Sequence, residues 1–151
     1  MHKGFLKLAS ILAALSIAFG AFGAHSLKEA NVTQEAVSIF ETAVRYQFYH
    51  VFGLFIAAIL YKEFPFKTTV WAGRLFIIGI ILFSGSLYFL TWVKAAVIPG
   101  YNAVGAITPI GGLAFIGGWV CLFISANGKR QSGIGNRESA NGNRQTGIGN
   151  K

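Results

Sequence analysis

Apolar residues gather in four long runs, from Leu8 to Ala24, about Ala43 to Tyr61, Trp71 to Val93 and Ala103 to Ala126. Each run is close to the ~20 residues, about 30 Å at 1.5 Å per residue, that a helix needs to cross a hydrocarbon core. The pattern predicts an all-α membrane protein: a four-helix transmembrane bundle over residues 1–126, with spans at about 5–24, 43–62, 71–93 and 103–126. Thr33 is a candidate N-cap, and Val37, Phe40 and Val44 follow at helical spacing, which predicts a short amphipathic helix between spans 1 and 2. Trp71 and Trp92 bracket span 3 as an aromatic belt, and Pro99-Gly100 marks the turn into span 4.

The first run has the basic start and the small pair, Ala21 and Gly23, of a cleaved signal peptide. Its apolar stretch is longer than such peptides carry, and its small residues form a regular stripe, so retention as a membrane helix is expected. Ala9, Ala13, Ser16, Gly20 and Gly23 follow one another at steps of four, three, four and three. Lipid is as apolar as leucine, so spans associate through close approach at such residues. Gly79 lies on a similar stripe with Ala72 and Ser86 in span 3, and Gly105, Gly111, Gly112 and Gly118 supply two columns in span 4. A tight bundle follows, whether the stripes face one another or a second copy.

Composition agrees. The chain of 151 residues is 54% hydrophobic and 12% charged with a mean hydropathy of +0.56, more apolar surface than a soluble domain of this length can bury. Its net charge of +8 does not point to nucleic acid, because the cations sit at membrane borders and in the tail. Lys3, Lys7, Lys62, Lys67, Arg74, Lys129, Arg130, Arg137, Arg144 and Lys151 fall on one side, and Lys28, Arg45 and Lys94 on the other. By the positive-inside rule both termini are expected in the cytoplasm of a bacterium, with the plasma-membrane bilayer as the first partner.

After span 4 the chain changes character. From Ser125, "SANGKRQSGIGNRE" is followed at once at Ser139 by "SANGNRQTGIGNK", a direct repeat rich in Gly, Asn, Ser and Arg that fills the tail 127–151. It has too little apolar surface to fold and no amphipathic face to lie on lipid, so a disordered basic tail is expected.

Chemistry is sparse. Cys121 stands alone inside span 4, and no paired carboxylates, metal motif, Cys-His pair or phosphate loop is present, so neither an enzyme nor a cofactor is expected. Depth counting is more informative. His50 lies twelve residues above Lys62, about 18 Å into the membrane. Ser84 and Ser86 reach a similar depth in span 3, as do Thr108 in span 4 and Ser16 in span 1, with Tyr88 and Pro109 alongside. The count predicts one polar layer, slightly outside the midplane. His50 is expected either to pin the bundle or to serve a proton, ion or ligand. As a pin, its partners would be Ser84, Ser86, Thr108 or the carbonyl near Gly105 that Pro109 leaves free.

Four ordered motifs, "GAFGAH" from Gly20, "YQFYH" from Tyr46, "FSGSLY" from Phe83 and "GAITPIGG" from Gly105, resemble the domain of unknown function 423 family. These are the small YgdD-like and YwdK-like bacterial membrane proteins, related to eukaryotic transmembrane protein 256. The likeness spans about Lys3 to Ala126 and excludes the repeated tail. It implies a small integral membrane protein and brings no catalytic residue, substrate or cofactor. The role expected is that of a non-enzymatic membrane component acting through helix packing with itself, as a homo-oligomer, or with a membrane-protein partner. The alternative is an oligomeric transporter, or a proton or ion pathway, using the polar layer around His50.

Overall fold

In the computed structural model the described residues are 1–27, 32–97 and 102–128. They form α1 (Lys3–Phe22), which runs on into a π turn at Gly23–Leu27, then α2 (Gln34–Leu60), α3 (Lys67–Gly79), a second π turn at Ile80–Ser84, α4 (Gly85–Ala95) and α5 (Asn102–Asn127). The third span is continuous from Lys67 to Ala95 through the π turn, where the Gly85 N–H donates to the Ile80 carbonyl five residues back. Four helices are thus long and apolar enough to cross a membrane, and among the described residues there is no strand. The turn at Pro99-Gly100 and the tail 129–151 lie outside the described residues.

One expected element has merged with its neighbour. The short helix before span 2 is the outer part of α2, whose 27 residues extend about 40 Å. Thr33 does cap it, with Oγ1 accepting from the Ala36 N–H at 3.3 Å. No proline or glycine stands between Thr33 and Phe52, so nothing breaks the helix where the membrane border was drawn. Its outer turns are held by burial of Ala36, Val37 and Phe40 and by an ion pair from Glu35 to Lys94 at the end of α4, 2.7 Å long.

At the opposite end the His2 N–H donates to the Ala58 carbonyl at 2.8 Å, the His2 ring caps the Phe5 N–H, and Ser125 Oγ donates to Thr68 at 2.7 Å. Met1, the 61–66 turn and Gly128 therefore share one end of the bundle, and Leu27, Thr33, Val97 and the start of α5 the other.

Glycines and phenylalanines organise the interior. The Phe5 ring fills the place of the missing Cβ at Gly73, Phe40 does so at Gly23, Phe115 at Gly79, and the backbone at Phe83 at Gly111. Phe76, fully buried, is wedged between Gly53 of α2 and Gly118 of α5, where added Cβ atoms would stand 3.0 and 2.7 Å from its ring. The small stripe of span 1 is used inside the chain: Ala9 and Ser16 are buried, Ala13 packs on the core, and Gly20 faces Val44 of α2. Gly112 has only ordinary contact with Phe83, and Gly105 faces nothing within 4 Å. These two positions depart from the expected packing columns. Gly112 follows Gly111 by one residue and so points about 100° away from the face that Gly111 presses on the Phe83 backbone.

Candidate functional site

His50 lies on the inner face of α2, 8% exposed. Its ring does not reach Ser84, Ser86, Thr108 or Gly105, the partners depth alone suggested. Nδ1 instead bonds the Tyr46 carbonyl one turn back, at 2.7 Å. A carbonyl only accepts, so Nδ1 carries the hydrogen, and in the neutral ring Nε2 carries a lone pair. The imidazole lies flat on Phe115 of α5, with ring centroids 3.4 Å apart and planes 9° from parallel. Phe115 can stand there because Gly79 has no side chain to oppose it.

Nε2 has no partner among the described residues, yet it is not sealed: the one fully buried side-chain polar atom lacking a hydrogen bond among them is Ser84 Oγ. The open space that His50 lines is a groove of about 570 Å³ between α2, span 3 and α5, walled by Tyr46, Phe83, Pro109, Gly112, Phe115 and Trp119. The groove offers one imidazole acceptor in a largely aromatic recess whose wall residues Tyr46 and Trp119 also carry a hydroxyl and an indole N–H. Among the described residues no group of three or more His, Cys, Asp or Glu side chains could hold a metal ion.

The other polar residues form two separate sets, so the expected single layer is divided. On one side Gln47, 3% exposed, joins three spans: Nε2 donates to the Leu12 carbonyl at 3.3 Å, and Oε1 accepts from Tyr88 Oη at 3.0 Å. Ser16 Oγ donates to the same Leu12 carbonyl at 2.8 Å. On the other side Ser86 and Thr108 share a hydrogen bond of 2.8 Å between span 3 and α5. Ser84, buried in the π turn, belongs to neither set. Equal depth did not bring these groups together because rotation about each helix axis, which depth ignores, decides which neighbour a side chain meets. Gln47 was missed, although the buried series Ala43, Gln47, His50, Leu54 and Ala57 carries the helical period that would have found it.

A second, smaller recess of about 360 Å³ lies between α1 and α2, lined by Ser16, Gly20, Phe40, Glu41, Val44 and Arg45 among others.

The comparisons agree with a membrane protein. Residues 19–112 fit the family model described as "Protein of unknown function (DUF423)", which takes in α2, span 3 and, of the polar groups, Gln47, Tyr88, Ser86 and Thr108, but not Ser16 or the Leu12 carbonyl. The chain belongs to the DUF423 family. It is 42% identical over 123 residues to the UPF0382 membrane protein SH2409 of Staphylococcus haemolyticus, covering 82% of this chain and 94% of that relative. To the UPF0382 membrane protein YwdK of Bacillus subtilis it is 39% identical over 125 residues, covering 82% of this chain and 96% of the relative. No solved structure matches. This DUF423 chain is therefore an integral membrane protein of a family without an assigned activity, and its repeated tail lies beyond the matched residues.

Proposed function

We propose that this protein is a non-enzymatic component of the bacterial plasma membrane that works by binding within the plane of the bilayer, through the groove beside His50. The observation that carries this reading is the contrast between that groove and the rest of the bundle. Gly20 and Gly23 of span 1 are packed by Val44 and Phe40 of α2, Gln47 is bonded to the Leu12 carbonyl and Tyr88, and Ser86 to Thr108, whereas His50 Nε2 remains open. A photo-crosslinking residue at Leu113, on the groove, is expected to give an adduct in native membranes that the same residue at Ile11, exposed on α1, does not. Equal labelling at both positions, or none at either, would refute the reading.

The orientation that goes with it places both termini in the cytoplasm, supported by the cation count and by the shared end of Met1 and Gly128. Reporter fusions at Lys151 and Asn31 are expected to report opposite compartments, with Lys151 cytoplasmic; the same compartment for both overturns it.

A proton pathway is the second reading, favoured by His50 as the one ionisable residue among the buried side chains of the described residues. Against it, Leu54, Ala57, Ala58 and Phe76 are all 0% exposed on the side of His50 toward Lys62, a dry plug within the single chain. A wild-type proton flux in liposomes that His50→Gln abolishes would reverse this preference.

A further inference from the structure

Resting on that reading, we propose that the His50 groove binds a hydroquinone-headed lipid in its reduced form, with a ring hydroxyl donating to His50 Nε2. Three observations select this occupant. The first is hydrogen-bond polarity. Nδ1 is committed as a donor to the Tyr46 carbonyl, so the neutral ring offers the groove an acceptor and no donor. A hydroxyl complements it; a quinone carbonyl or an ether, which only accept, do not.

The second is depth. The Nε2 acceptor sits about 18 Å above the Lys62 border, in the hydrocarbon. A charged phospholipid headgroup would have to leave the interface to reach it, and an ion would be stripped of water at great cost. A neutral hydroxyl on an apolar body reaches that depth unaided.

The third is the shape and lining of the site. Tyr46, Phe83, Phe115 and Trp119 present aromatic surface around the imidazole, which already lies flat on Phe115. Flat rings pack on such walls by offset or edge contacts that a linear alkyl alcohol does not make. Leu113 and Ile116, 68% and 62% exposed, continue from the groove along α5 toward the lipid and suit an apolar tail. The space of about 570 Å³ accommodates a substituted ring with the first part of its chain.

The test uses the full chain in lipid nanodiscs under anaerobic, reducing conditions. Binding is followed by Trp119 fluorescence in a Trp71→Phe, Trp92→Phe background. Four probes are compared: decylbenzohydroquinone, its dimethyl ether, the corresponding quinone measured without reductant, and decanol. The hydroquinone is expected to bind at least about tenfold more tightly than each of the others, the effect of leaving a buried acceptor unpaired or the ring walls unfilled. His50→Phe keeps a ring to stack on Phe115 and removes the acceptor; it is expected to bind hydroquinone and dimethyl ether equally. Gly112→Leu, at a position where an added Cβ has room, is expected to fill the groove and abolish binding of all four.

Equal affinity of the wild type for hydroquinone and dimethyl ether overturns the proposal, as does a hydroquinone preference that survives in His50→Phe. Decanol binding as tightly as the hydroquinone overturns the aromatic head. The wild-type comparison stands even where a variant fails to fold. With no hydroquinone preference but a persistent Leu113 adduct, the ligand class falls and the groove as binding surface stands; with neither, both fall.

Discussion

Phe76→Ala is expected to cost the folded bundle about 3–5 kcal/mol, the range for emptying the site of a fully buried phenylalanine. The ring is 0% exposed and meets Gly53 on one side and Gly118 on the other, so α2, span 3 and α5 all border the void. Rigid helices collapse into such a space only by tilting, which would disturb the Ser86–Thr108 bond as well. Gly118→Ala sharpens the test. In the wild type its new methyl would stand 2.7 Å from a Phe76 ring that has no room to retreat, so it is expected to destabilise. In the Phe76→Ala background the same methyl partly fills the void and adds about 1 kcal/mol of helix propensity, so it is expected to stabilise. Unfolding titrations in mixed micelles of the four proteins measure the coupling. Additivity within about 0.5 kcal/mol would mean that the ring and the glycine are not in contact.

Adjacent glycines on α5 give the second large effect, with opposite signs. At Gly111 a Cβ would collide with the backbone N and Cα of Phe83, and backbone cannot rotate aside as a side chain can. Gly111→Ala is expected to push α5 from span 3 and lose about 1–3 kcal/mol. At Gly112 the nearest atom to a new Cβ is 3.9 Å away, on the Phe83 ring. Gly112→Ala is expected to leave stability unchanged or raise it by up to about 1 kcal/mol through helix propensity. Melting temperatures in detergent decide it; a loss at Gly112 as large as that at Gly111 would show that the two glycines face the same neighbour.

The four spans and the cap at Thr33 were legible in the sequence because each is local: a run of apolar residues or a single hydroxyl before a helix. Gly20 and Gly23 of span 1, Gly79 of span 3 and Gly111 and Gly118 of span 4 were legible as packing positions, but their partners were not, and Gly105 and Gly112 do not pack closely. Small residues suggested helix backbones meeting directly, and for Gly111 they do; for Gly23, Gly73, Gly79 and Gly118 the missing side chain instead admits a phenylalanine from another span. Which ring enters which notch depends on rotation and crossing of helices far apart in sequence. The same limit explains His50. Its depth could be counted, but the i−4 carbonyl of its own helix lay closer than any side chain on another span. The π turn left no mark in composition, since Ile80–Ser84 reads as five ordinary membrane residues.

That turn has a consequence for how the family can change in length. A π turn closes its hydrogen-bonded loop one residue later than an α turn, and so stores a surplus residue without rotating the helix on either side. Removing one residue from Ile80–Ser84 would replace one π turn by one α turn and return the third span to regular α geometry at nearly the same length. The face carrying Phe76 toward α2 and α5, and the face carrying Ser86 and Tyr88 toward Thr108 and Gln47, would each keep their neighbours. Single-residue insertions and deletions, ruinous elsewhere in a membrane helix, are therefore tolerable here, and a gap of one between relatives at this point would carry no change in how the bundle is assembled.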